Sequence, residues 1–82
     1  MEKIRQDINM GDNLRKLRKK RKLTQEQVSI KLQALGCDIT RSIYSRYETG
    51  ELNIRVSELI ALKEIFICQY DDFFNGLKKE TI

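Results

Sequence analysis

The chain is predicted to be an all-α protein, a compact five-helix bundle, and three observations lead there. Apolar residues recur at spacings of three and four rather than two. There is no proline, and Gly11, Gly36, Gly50 and Gly76 cut the chain into helix-sized pieces. Two of the helical stretches open on a threonine, Thr24 and Thr40, with helix-start chemistry behind it. Eighty-two residues, 40% hydrophobic and 34% charged, suit one small folded core rather than a disordered chain, with no room for a large substrate cavity.

The elements follow in order. Residues 1–10 read as a polar arm in which Ile4, Ile8 and Met10 can extend a helix. The first helix is expected over residues 12–22, with Leu14, Leu17 and Arg21 on one face and Arg15, Lys16, Lys19 and Lys20 on the others. The second, over residues 24–35, has the clearest boundary: Thr24 and Gln27 form a capping box, flanked by Leu23 and Val28 as a hydrophobic staple. Val28, Leu32 and Leu35 supply its buried stripe, and Gly36 suits the left-handed position that ends it. The third, over residues 40–49, takes Thr40 as N-cap and Ile39 with Tyr44 as a second staple. The fourth, over residues 56–66, carries a broad apolar surface of Leu59, Ile60, Leu62, Ile65 and Phe66. The fifth, over residues 70–75, has Asp71 and Asp72 in its first turn, and Phe73, Phe74 and Leu77 are expected to pack under the bundle. The domain proper is therefore expected to span residues 11–77, between the arm at 1–10 and a short tail at 78–82.

Charge is polarised along the chain. Residues 1–25 hold nine Lys or Arg against three acids, residues 26–48 balance three against three, and residues 49–82 hold four bases against six acids. A one-sided basic surface is the electrostatic footprint of phosphate binding, although a run of charge also serves merely to solubilise a helix. Other classes find no support. Histidine is absent, and the sequence contains no Gly-rich phosphate loop, metal-ligand cluster or nucleophile elbow, so neither enzyme activity, a cofactor nor a metal is expected. Cys37 and Cys68 match no zinc or redox spacing and read as reduced thiols. With no apolar leader in MEKIRQDINM and no run of membrane-spanning length, the expected location is the cytoplasm, with no membrane partner and no evident small-molecule ligand.

Two capped helices joined by Gly36-Cys37-Asp38-Ile39 form a helix-turn-helix pattern. Such a unit needs a second helix with one polar face for the major groove and an apolar face for anchorage. Arg41, Ser42, Ser45 and Arg46 supply the polar face, and Tyr44 and Tyr47 the anchor. Arginine can contact guanine O6 and N7 bidentately, and serine reaches bases or phosphates with little steric demand.

At this point the chain resembles the helix-turn-helix family of phage Cro and repressor proteins, the XRE family. The resemblance rests on GDNLRKLRKKRKLTQEQVSIKL, then ITRSIYSRYETGE, then ELIALKEIF and YDDFF, from Gly11 to Phe74. It implies a lambda-repressor-like five-helix bundle that binds double-stranded operator DNA, usually as a homodimer on a two-fold site. It further implies base-reading positions at Arg41, Ser42 and Arg46, and a phosphate-touching glutamine at Gln25 that buttresses the reading helix. Thr40 matches the N-cap of that helix and is taken with Gln25 as a phosphate contact. Arg15, Lys19 and Lys20 join them, because the first helix crosses the DNA backbone in this geometry. Arg18 and Glu48 match the family's buried ion pair between first and third helices. The segment from Thr24 to Glu48 is longer than in the shortest phage repressors, with the extra residues near Gln33–Asp38, as in a KLQ-LG-DITR variant of the family. Ile43 stands where many relatives carry a small polar residue, and either packs on the long turn or touches a thymine methyl. The implied function is transcriptional regulation, as a repressor. The alternative is an antitoxin or other protein-interaction module on the same fold, disfavoured by how few residues flank the domain. A dimer contact would have to come from the fifth helix, the tail or the arm.

Overall fold

The protein is described here by a computed structural model covering residues 3–4, as backbone, and 10–77. In chain order it contains β1 (Lys3–Ile4), α1 (Gly11–Lys20), α2 (Gln25–Ala34), α3 (Arg41–Thr49), β2 (Ile54–Arg55), α4 (Val56–Phe66) and α5 (Tyr70–Phe73). The five helices close around Leu14, Val28, Leu32, Tyr44, Ile54, Leu62, Phe66 and Phe73, all sealed from solvent.

Helix α1 begins one residue earlier than expected, with Met10 buried at its N-cap position. Asp12 in its first turn and Arg18, Lys19 and Lys20 in its last complement the helix dipole. It closes through Lys22, at φ +57°, where the Leu23 N–H donates back to the Arg18 carbonyl at 3.2 Å. At α2 the Thr24 hydroxyl accepts from the Gln27 N–H (3.1 Å), and the Gln27 side-chain Oε1 accepts from the Thr24 N–H (2.8 Å), a complete capping box.

Several expectations are corrected. Leu35 does not join the buried stripe and is 49% exposed. Its spacing from Val28 and Leu32 places it on the stripe only while the helix continues, and α2 ends at Ala34 before Gly36 reverses the chain at φ +87°. On α4, Ile60 is likewise 49% exposed, while Ala61 is buried with Leu59, Leu62 and Phe66. Ile60 lies about 100° beyond Leu59 around the helix, outside the arc that faces the core. Helix α5 is a single turn, shorter than residues 70–75, and Phe74 is exposed while Phe73 is buried. Asn13 stops it: its Nδ2 donates to the carbonyls of both Phe73 and Asn75, each at 2.9 Å. The arm is not a helical extension at Ile4. Lys3 and Ile4 pair antiparallel with Arg55 and Ile54, a ladder that no alternation in so short a segment announces. Ile8 and the tail at 78–82 lie outside the described residues.

Candidate nucleic-acid interface

The site is built on α2, α3 and the turn between them. The Cys37 N–H donates to the Leu32 carbonyl at 2.9 Å and the Gly36 N–H to Gln33 at 3.0 Å, closing α2 through a left-handed glycine. The Ile39 N–H then donates to the Cys37 carbonyl at 2.8 Å, and the Ile39 side chain is buried. Thr40 caps α3 by accepting from the Ile43 N–H at 3.3 Å. Ile43 is half-buried and shares the walls of a groove with Gly36, Cys37, Asp38 and Ile39, on the long-turn side of the helix.

The inner face of α3 consists of Tyr44, Tyr47 and Glu48, all buried at helical spacing. The two rings meet edge to face, 6.4 Å apart at 82°. Glu48 joins three elements. Its Oε2 accepts from Arg18 Nε at 2.7 Å and its Oε1 from Arg18 Nη2 at 3.1 Å, a bidentate pair to α1. The same Oε1 accepts from Gln25 Nε2 at 3.1 Å, at the first residue of α2. Arg18 Nη1 also donates to the Leu23 carbonyl at 2.9 Å. Burial pushes the Glu48 carboxyl pKa upward, but the Arg18 bonds, the neighbouring Tyr44 phenol and the Gln25 amide outweigh it and hold the group below its ordinary value. The partner effect on Arg18 is a raised pKa, caused first by the bond to Glu48. The Tyr44 hydroxyl, sealed beside the pair without a hydrogen bond of regular geometry, has its pKa raised by burial and then by Glu48.

On the outer face of α3, Arg41, Ser42 and Arg46 are exposed and Ser45 is half-buried. Gln25 separates two shallow hollows. One is lined by Asp12, Arg15, Arg18, Glu48 and Thr49, the other by Arg18, Leu23, Thr24, Glu26 and Arg41. Gln25, Arg15 and Arg41 are thus gathered along one surface, with the exposed Thr40 beside Arg41 in sequence. Lys19 is exposed one helical turn after Arg15. Lys20 is exposed as well, about 100° further round α1 than Lys19.

Sequence reasoning missed the polar contacts of four residues, Glu58, Arg21, Asn13 and Gln33. The Tyr47 hydroxyl donates to Glu58 Oε1 at 2.7 Å, and the same oxygen accepts from the Arg55 N–H at 3.0 Å, so buried Glu58 joins α3 to the start of α4. Its signal was present, a glutamate at the third position of α4. Arg21 donates to the carbonyls of Phe66 (2.7 Å) and Ile67 (3.2 Å), capping α4; a basic residue on an apolar face was its clue. The Asn13 contacts described above and Gln33, whose Nε2 donates to the Ile39 carbonyl at 3.0 Å, carry no signal in a single sequence.

A capped helix, a reversing turn and a second capped helix, buried by its aromatic face and open on its polar one, define a DNA-binding helix-turn-helix domain. The helix-turn-helix family model matches residues 14–73, and the chain belongs to the Cro/C1-type (XRE) family of transcription regulators. No curated protein and no solved structure matches the chain. Among the described residues, no helix is long and apolar enough to cross a membrane.

Proposed function

We propose that the protein is a cytoplasmic, sequence-specific transcriptional repressor that inserts α3 into the major groove of operator DNA. One observation carries this reading: α3 exposes Arg41, Ser42 and Arg46 on one face while Tyr44, Tyr47 and the Arg18–Glu48 pair hold the opposite face. Arg41 and Arg46 read bases, Ser42 and Ser45 read bases or adjust the fit, and Gln25, Thr40, Arg15 and Lys19 hold phosphates. Lys20 contributes through the general positive potential of α1. One domain covers a half-site, so useful specificity calls for a homodimer on half-sites about one helical turn apart.

Selection of bound DNA from a random library tests the proposal. A palindromic consensus is the expected result. Arg41→Ala and Arg46→Ala should each weaken binding to that consensus by about 1–3 kcal/mol and relax preference at one base position, with non-specific binding far less affected. Absence of any enriched sequence would favour a protein-interaction module instead.

A further inference from the structure

We propose that Gln33 is a positioning residue for base recognition: its side chain straps the long turn and sets the angle at which α3 meets the groove. This rests on the reading of α3 as the base-reading helix. The observation is the bond from Gln33 Nε2 to the Ile39 carbonyl, 3.0 Å long and partly buried. Gln33 sits in the last turn of α2, and Ile39 immediately precedes the Thr40 cap of α3. The strap therefore joins the two helices across the turn itself.

The bond's place in the turn gives it leverage. Between Leu32 and Thr40 the backbone is held by short local bonds: Cys37 to Leu32, Gly36 to Gln33 and Ile39 to Cys37. The first two close α2, and the third spans only two residues. None of them ties Ile39 back to α2; the Gln33 bond does, across six residues. Buried Ile39 fixes the turn by its side chain, and the Gln33 amide fixes the orientation of the peptide plane that leads into α3. An amide suits this work because the acceptor is a neutral carbonyl in a partly buried bond, and Gln33 is itself exposed, so replacing it opens no cavity. A change in the approach of α3 displaces Arg41 and Arg46 together. Bidentate contacts tolerate little displacement, whereas phosphate contacts by long, flexible side chains tolerate more.

The test uses Gln33→Met, close in size, neutral and without the donor, beside Gln33→Lys, which restores an N–H with similar reach. Two quantities are read on the full chain: the ratio of affinity for the selected consensus to that for scrambled DNA, and amide exchange at Ile39 and Ile43. Gln33→Met is expected to lower the ratio about tenfold, a loss of about 1.4 kcal/mol, and to speed exchange at both amides, with the scrambled-DNA affinity and its salt dependence unchanged. Gln33→Lys should recover most of the ratio, since its added charge strengthens both DNAs alike. An unchanged ratio, or unchanged exchange, in Gln33→Met overturns the strap. If Arg41→Ala and Arg46→Ala leave the ratio intact while Gln33→Met lowers it, α3 is not the base reader through those side chains and the strap stands; the reverse pattern sinks the strap and leaves the base-reading assignment in place.

Discussion

Glu48 shows how one side chain can serve both fold and function. Its carboxylate holds α1 and the first residue of α2 against the reading helix, through Arg18 and Gln25. Its pKa is depressed in the folded protein from the ordinary 4.5. A depressed pKa contributes stability that is fully present above the unfolded value and is lost as pH falls through the folded one. The thermal midpoint is therefore expected to fall steeply from about pH 5 to about pH 3, part of the fall being due to this group. Glu48→Gln should melt lower at neutral pH, because it leaves the half-buried Arg18 charge without its counter-charge, and should show a shallower acid slope. Circular dichroism melts of both proteins across that range check the prediction, and parallel slopes would remove Glu48 from the account. At this scale the sequence was informative wherever a residue type and its spacing imply one partner, as for Thr24 with Gln27. Family resemblance supplied the Arg18 and Glu48 pairing. Contacts such as Asn13 to the end of α5 span 60 residues and depend on the packed bundle, so no local pattern encodes them.

Helix ends decided how much of the element layout could be read from the sequence. Ends marked by Thr24, Gly36, Thr40 and Gly50 fell where their chemistry indicates. The end of α4 at Phe66 was also legible, from its apolar spacing, but not the way it closes: Ile67 sits at φ +51° and 70% exposed, a β-branched residue in a region that strongly disfavours it. The Cys68 N–H donates to the Lys63 carbonyl at 3.3 Å, and Arg21 holds the carbonyls of Phe66 and Ile67, so the surroundings impose the conformation. Relief of that strain outweighs the small loss of exposed apolar contact and the added backbone entropy of glycine. Ile67→Gly is expected to stabilise the protein by about 1 kcal/mol, raising the melting midpoint by about 4–8 °C. Gly36→Ala is its converse. An added Cβ meets nothing within 4 Å, so the whole penalty is conformational, about 1–2 kcal/mol, and differential scanning calorimetry should find the two shifts opposite in sign.

For the whole molecule, charge polarity was legible along the chain but its orientation on the fold was not. The first third carries the net positive charge, and the helical repeat of α1 spreads Arg15, Lys16, Lys19 and Lys20 around more than one side. Arg15 shares a hollow with Gln25 and Glu48, and Lys19 lies about 40° from it around α1, whereas Lys20 lies about 140° away. Counterion release makes the logarithm of affinity fall with the logarithm of salt, by about 0.9 for each phosphate contact on duplex DNA. Lys19→Ala should flatten that slope, equally on consensus and scrambled DNA, because phosphate contacts carry no sequence information. The amount also counts chains: about 0.9 if one protomer binds the site, and about 1.8 if two do. Lys20→Ala should flatten it by clearly less than Lys19→Ala, since its charge contributes to the field without a direct phosphate partner. Fluorescence anisotropy titrations at four or more salt concentrations, with the three proteins side by side, measure all of this. Equal slopes for Lys19→Ala and Lys20→Ala would mean that α1 approaches DNA along its axis rather than by the side that adjoins Gln25.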